Sequence, residues 1–239
     1  LILQGFLQIH GLDYFDTFAP VSQVLTVRLV LILAVQFGLT THHVDVKTAF
    51  LNSEMKEEVY VKLPDGLSID GKQYGKVLKS IYGLKQAAHD WYETQDKFLL
   101  GHDKRLKKSE TEPCLYYIWT NELKVVISTH VDDYVIGTDS PEWYSTFVAA
   151  FSKEYEINDL GIVEHVLQMK VEWTEDGVLW SQRRHIDDLA ILHNMTGSKA
   201  VQTPMEHGLS LKPSTAPTPD LPYRNLLGSL WWIVRNTRP

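Results

Sequence analysis

Three acidic residues carry the clearest chemical signal in this sequence: Asp45, within His43-Val44-Asp45-Val46, and the adjacent pair Asp132-Asp133. Aspartate is disfavoured inside strands, and a charge held in an apolar context needs a partner, for which a cation is the direct candidate. Two adjacent aspartates repel each other and gain from a divalent ion beside them. If the strands bearing Asp45 and Asp132 are neighbours, the acids converge on one spot, and the backbone carbonyl of Val46 adds a further oxygen. Hard oxygen ligands of this kind suit Mg2+, which keeps waters and takes substrate phosphates as additional ligands. A pair of such ions about 4 Å apart clamps the attacking and leaving oxygens of an in-line phosphoryl transfer. The plain alternative is a simple turn at Asp132-Asp133 and an edge residue at Asp45, and spacing alone leaves both open.

The elements that must position these acids follow from periodicity. Residues 115–119 and 123–129 read as strands joined by Thr120-Asn121-Glu122; the acids interrupt the second run and 134–137 resumes it, a hairpin with carboxylates at its tip. Upstream, 24–37 reads as a helix with Ser22 as its N-cap and Gly38 as its stop. Its apolar residues run nearly all the way round, which predicts burial. Residues 42–46 are β-rich, and the alternation from Glu58 to Leu63 is a further strand ending at the turn Pro64-Asp65-Gly66, with 64–76 expected as loop. Ala88, Trp91, Tyr92, Phe98 and Leu99 recur at helical spacing over 86–100, with Gly101 as the stop. Ser140-Pro141-Glu142 opens a helix whose buried stripe is Tyr144, Phe147, Val148, Phe151 and Tyr155. Residues 166–173 and 178–180 flank Glu175-Asp176-Gly177 as another hairpin. Residues 182–193 and 223–234 read as helices, and 202–222, with five prolines, as an irregular linker. This succession predicts an α+β fold, an antiparallel sheet with helices on one face.

Composition bounds the rest. With 239 residues and 44% apolar content, the chain can bury a core as one large domain or two or three small subdomains. The longest apolar run, 29–35, is seven residues, well short of the roughly 20 a membrane helix needs. No secretory signal opens the chain, and the single cysteine, Cys114, allows no internal disulfide, so a reducing, intracellular setting fits. The sequon Asn194-Met195-Thr196 is then read as coincidence. The net charge of −7 weighs against nucleic-acid binding, which needs cations for phosphate. Charge placement matters more: Lys97, Lys104, Arg105, Lys107 and Lys108 cluster, and Arg183-Arg184-His185 forms a second knot, each equally readable as a solvated surface. The start at Leu1 and the lack of a closing element read as a piece of something longer.

Longer motifs make the sequence specific. Asp13-Tyr14-Phe15-Asp16-Thr17-Phe18-Ala19-Pro20-Val21 resembles the opening signature of copia-type retrotransposon reverse transcriptases, and His43-Val44-Asp45-Val46-Lys47-Thr48-Ala49-Phe50-Leu51-Asn52 resembles their first catalytic motif. Lys79-Ser80-Ile81-Tyr82-Gly83-Leu84-Lys85-Gln86-Ala87, Glu112-Pro113-Cys114-Leu115-Tyr116, His130-Val131-Asp132-Asp133 and Asp159-Leu160-Gly161 follow in the family's order. Thr203-Pro204-Met205, Tyr223-Arg224, Gly228-Ser229-Leu230 and Thr237-Arg238-Pro239 are similar to later signatures, so the likeness spans essentially the whole chain.

The resemblance implies a right-hand polymerase with an antiparallel palm sheet, fingers and a partial helical thumb. It implies fingers over 1–20 and 54–88, palm over 21–53 and 89–174, and thumb or connection over 175–239. It implies Asp45, Asp132 and Asp133 as the catalytic acids, and Asp45, Asp132 and the Val46 carbonyl as ligands of two Mg2+ ions, with Mn2+ as an alternative. Phe50 falls at a steric-gate position, where an aromatic ring beneath the sugar excludes a 2′-hydroxyl. Tyr82, Gly83 and Lys85 match the loop that meets the incoming nucleotide, and His130, Arg183 and Arg184 are candidates for nucleic-acid contact. The implied reaction is attack of a primer 3′-hydroxyl on the α-phosphate of a dNTP. The implied partners are an RNA or DNA template-primer and the integrase and RNase H regions of a parent polyprotein, with no membrane and a cytoplasmic, particle-associated setting.

Departures from the family pattern keep a second reading in view. His130 replaces the usual Tyr, Ala88-His89 the usual Pro-Arg, Gln4 a Lys, and Gln168 stands where Gly is common. These changes suit a remnant that folds or binds nucleic acid without catalysis. A metal-dependent nuclease or phosphatase uses similar carboxylates but leaves Phe50 and the Tyr82–Lys85 loop unexplained.

Overall fold

The computed structural model describes residues 2–64, 66–68, 71–203, 205, 207–210 and 222–238. The chain divides into two compact units, Leu1–Val163 and Glu164–Pro239. The expected turn residue Asp65, positions 204, 206 and 211–221 of the expected 202–222 linker, and the signature position Pro239 lie outside the described residues.

The first unit contains, in order, α1 (Val24–Phe37), β1 (Thr40–Val46), β2 (Tyr60–Lys62), β3 (Tyr74–Lys76), α2 (Ala87–His102), β4 (Lys107–Lys108), β5 (Leu115–Trp119), β6 (Lys124–His130), β7 (Asp133–Thr138), α3 (Pro141–Glu154) and β8 (Ile157–Ile162). Six of these strands form one sheet in the order β4-β5-β6-β7-β1-β8, with every neighbouring pair antiparallel. The fold is therefore mixed α and β with antiparallel sheets, as expected.

The helices cover both faces of this sheet, which corrects the one-face expectation. Val44, Val46, Tyr116, Ile118, Ile127, Tyr134 and Ile136 pack with Trp91 and Leu99 of α2 and Phe147 and Phe151 of α3 in one core. Fully burying each such side chain contributes about 1.5–3 kcal/mol. Two tethers, the first buried and the second part-buried, orient α2 on the sheet: Tyr134 donates to Gln95 Oε1 at 2.6 Å and Tyr116 to Asp96 Oδ1 at 2.7 Å. Side chains alternate along a strand, so Gly137 faces the other way, and there Val30 of α1 and Leu39 lie over it.

Several local expectations shift. Helix α1 buries Val27, Val30, Leu31 and Ala34, but Leu25 and Ile32 are 64% and 57% exposed, because only one side of the helix meets the sheet. Ser22 does not cap it; its hydroxyl bonds Ser128 at 2.7 Å, while Gly38 ends the helix in the left-handed region as expected. Gly101 does not stop α2, which continues to His102. Residues 74–76 form β3 against β2 rather than loop. The Asp159-Leu160-Gly161 segment, for which periodicity predicts no element, lies in β8, at the sheet edge beside β1. Ser140 caps α3 by accepting from the Trp143 amide, as expected. Two of the five residues of the basic cluster are ion-paired: Arg105 bonds Asp103 and Lys108 bonds Asp96.

The second unit holds β9 (His165–Val166), β10 (Met169–Thr174), β11 (Gly177–Ser181), α4 (Arg183–Leu192) and α5 (Tyr223–Asn236). Its three strands pair in the order β11-β10-β9. The expected strand over 166–173 is broken by a tight turn in which Leu167 and Gln168 have φ of 50° and 63°. That is the signature of a two-residue hairpin loop, whose second position favours glycine. No helix among the described residues is long and apolar enough to cross a membrane.

Candidate active site

The register of β1 and β7 sets Asp45 directly opposite Asp133. On the other side of β1, Asn158 of β8 stands opposite Asp45. Asn158, Asp45 and Asp133 thus form one row across three adjacent strands, on the face away from Val44 and Tyr134 because side chains alternate.

Asp132 is fixed beside this row by the β6–β7 hairpin. His130 pairs with Asp133, which leaves Val131 and Asp132 as a two-residue loop. Such a loop needs positive φ at its first central position, and Val131 has φ of 60°. A β-branched residue resists that conformation. Two hydrogen bonds hold it: Trp91 Nε1 donates to the Val131 carbonyl at 2.6 Å, and the Val46 amide donates to the Asp132 carbonyl at 2.8 Å. The second bond ties the hairpin tip to the residue after Asp45.

The three acids share a negative field. Burial pushes the Asp132 carboxyl up from the ordinary aspartate value of 3.8, and the charges of Asp133 and Asp45 push it further. Burial, followed by the charges of Asp132 and Asp45, also raises the Tyr82 phenol, which places that ring within their electrostatic reach. Among the described residues, no lysine or arginine is ion-paired with any of the three. Their side-chain partners are an imidazole and an amide: His43 Nε2 lies 2.8 Å from Asp133 Oδ1, and Asn158 Nδ2 donates to Asp45 Oδ2 at 3.0 Å. Among the described residues, no group of three or more His, Cys, Asp or Glu side chains could hold a metal ion by itself. Clustered carboxylates without a cationic side chain nevertheless fit a divalent cation whose shell is completed by water and substrate oxygens.

Phe50 follows β1 in a short 3-10 turn, and its ring centre lies 4.6 Å from that of Tyr82. The Tyr82–Lys85 loop is clamped by the N-terminal segment. Leu3 donates its amide to the Tyr82 carbonyl at 2.9 Å. Gly83 has φ of 100°, and a Cβ there would stand 2.1 Å from the Leu3 carbonyl oxygen; a Cβ on Gly5 would stand 1.8 Å from that of Gly83. Close backbone approach is what requires glycine at both positions. The Lys85 ammonium is turned to the Gln8 carbonyl at 3.2 Å and the Tyr14 hydroxyl at 3.4 Å, so it is engaged within the chain. His130 Nδ1 lies 3.2 Å from the Ser22 carbonyl oxygen. Arg183 and Arg184 belong to the second unit, where they open α4, are strongly exposed, and sit 3.7 and 3.9 Å from Asp187 and Asp188.

Sequence reading missed His43, Asn158 and Trp91 as supports of the acids. His43 was findable, since a residue two before Asp45 on a strand shares its face. Asn158 was not, because the pairing of β8 with β1 is non-local.

Residues 1–207 match the family model described as reverse transcriptase (RNA-dependent DNA polymerase). The chain is 32% identical over 252 residues to the retrovirus-related Pol polyprotein from transposon TNT 1-94 of Nicotiana tabacum, covering all of this chain and 19% of that protein. It is 32% identical over 243 residues to the Pol polyprotein from transposon RE1 of Arabidopsis thaliana, covering all of this chain and 16% of the relative. A putative transposon Ty5-1 protein of Saccharomyces cerevisiae is 31% identical over 202 residues, 82% of this chain and 64% of the yeast protein. The chain thus spans a fifth or less of the plant polyproteins. No solved structure matches significantly.

Proposed function

We propose, from the premise that this chain belongs to the reverse transcriptase (RNA-dependent DNA polymerase) family of copia-type Pol polyproteins, that it extends a primer with deoxynucleotides on an RNA or DNA template. The observation that carries this reading is the row of Asp45 and Asp133 across β1 and β7 with Asp132 at the adjoining tip.

In this reading Asp45, Asp132 and the Val46 carbonyl hold divalent cations, Mg2+ in the first instance, and Asp133 completes the acidic cluster. Bound there, the cations neutralise phosphate charge and lower the barrier to transfer at the α-phosphorus. The protein's own part is orientation. The Val46–Asp132 backbone bond and the Trp91–Val131 bond fix the acids relative to one another. Phe50, braced by Tyr82, forms the floor under the sugar and rejects a 2′-hydroxyl. Gly83 lets the loop backbone lie close to its neighbours, and Lys85 anchors that loop to Gln8 and Tyr14. His130, Arg183 and Arg184 contact the nucleic acid. Fingers over 1–20 and 54–88, palm over 21–53 and 89–174, and thumb or connection over 175–239 complete this reading, and the integrase and RNase H regions of a parent polyprotein are partners.

The test is primer extension on an RNA template with dNTPs and Mg2+. Wild-type chain incorporates, and Asp132→Asn loses about 10²-fold or more, the usual cost of one electrostatic stabiliser. Equal incorporation by both proteins would refute the assigned role. A second reading, a remnant that folds or only binds nucleic acid without extension, is favoured by the engagement of the Lys85 ammonium within the chain. Salt-dependent binding of an RNA–DNA hybrid with no incorporation would select it.

A further inference from the structure

We propose that His43 is a positioning residue that withholds Asp133 from the cation bound by Asp45 and Asp132. This rests on the active-site reading above and adds a division of labour among its three acids.

His43 and Asp45 are two residues apart on β1 and so project from one face. His43 stands opposite Val135, which makes it the diagonal neighbour of Asp133. Diagonal Cβ atoms lie about 7–8 Å apart or somewhat less, a gap an imidazole spans. The bond is 2.8 Å from His43 Nε2 to Asp133 Oδ1, and the two side chains are 12% and 30% exposed, so water competes little for it. A carboxylate only accepts, so Nε2 carries the proton in this bond.

The row explains why such a bond is needed. Asp45 and Asp133 are directly opposed, and like charges in that relation are destabilising. Asn158 takes Asp45 from β8, and His43 takes Asp133 from within β1. Asp132 receives no hydrogen bond from another side chain among the described residues. With Asp133 drawn toward His43, two carboxylates rather than three face the cation. Fewer protein oxygens leave coordination positions for substrate phosphate oxygens, at the cost of weaker binding of the bare ion.

The test uses the 239-residue chain and Mn2+ as the probe. Free Mn2+ is read by electron paramagnetic resonance against wild type, His43→Ala and His43→Gln. Release of Asp133 in His43→Ala adds a carboxylate, so Mn2+ binds about threefold or more tightly. Incorporation falls about tenfold in kcat with KM for dNTP unchanged, as expected for misplaced catalytic groups. His43→Gln, whose amide still donates, returns both values toward wild type. In 15N spectra the His43 ring shows the Nε2–H tautomer, and Asp133→Ala abolishes that preference. Unchanged Mn2+ affinity in His43→Ala, failure of Gln to restore it, or a tautomer indifferent to Asp133→Ala would each overturn the proposal. Absence of incorporation by wild type would remove the polymerase reading instead, while the Mn2+ and 15N comparisons would still decide the role of His43. If His43→Ala does not fold, the glutamine variant and the spectra carry the decision.

Discussion

Trp91→Phe is the sharpest test of how the hairpin tip is held. Val131 occupies the left-handed region at φ 60°, a conformation that costs an L-residue about 1–2 kcal/mol. Trp91 is 1% exposed and reaches the Val131 carbonyl at 2.6 Å from α2. Phenylalanine keeps most of the packing but donates nothing, so a partly buried carbonyl loses its partner at about 1–3 kcal/mol. Taking about 2 kcal/mol, and about 2–4 °C per kcal/mol for a unit of this size, Tm falls by about 4–8 °C. Activity responds more steeply, because a released tip moves Asp132, and a displacement of about 1 Å costs about 10²-fold. Calorimetry reads the first effect and primer extension, at a temperature where the variant remains folded, the second. Adding Val131→Gly removes the steric cost at φ 60° and recovers part of the lost incorporation. A Trp91→Phe protein that melts and incorporates like wild type would refute this account of the tip.

Three further outcomes follow from the same geometry. Folding raises the Asp132 carboxyl above the ordinary 3.8, so its ionised form costs stability above the folded-state value and costs nothing below 3.8. Asp132→Asn therefore melts higher than wild type at pH 7 while losing incorporation, and the gap in Tm closes as pH falls through that window. Gly83→Ala introduces a Cβ 2.1 Å from the Leu3 carbonyl oxygen at φ 100°, and the added strain and overpacking destabilise by about 2–4 kcal/mol in urea unfolding. Limited proteolysis then cuts the freed N-terminal segment sooner. Gln168→Gly, at φ 63° on an exposed turn, gains about 1 kcal/mol once the flexibility of unfolded glycine is deducted, read as slower amide exchange in β9 and β10.

The site's inventory was legible in the sequence, and its arrangement only in part. Asp45, Asp132 and Asp133 stood out because charges inside apolar β-runs have few uses, and ordered motifs pointed to polymerase ancestry. The hairpin around the acids and the cap at Ser140 followed from alternation and local bonding. Gly83 was legible as part of a family motif, but not that the Leu3 backbone lies against it. Ser22 looked like a helix cap by local rules and instead bonds Ser128, a partner 106 residues away. Helix α1 looked buried because periodicity reports only that residues are apolar, not how many sides are covered.

What the sequence determined by itself is which residues could do chemistry and which local elements carry them, since propensity, capping and alternation act over a few residues. Only the tertiary structure decided that β8 lies beside β1, that Asn158 and His43 hold two of the three acids, and that Trp91 braces a strained turn. Those relations depend on strand register between segments roughly 40 to 110 residues apart. Register is set by the simultaneous burial of many side chains, which no local window contains.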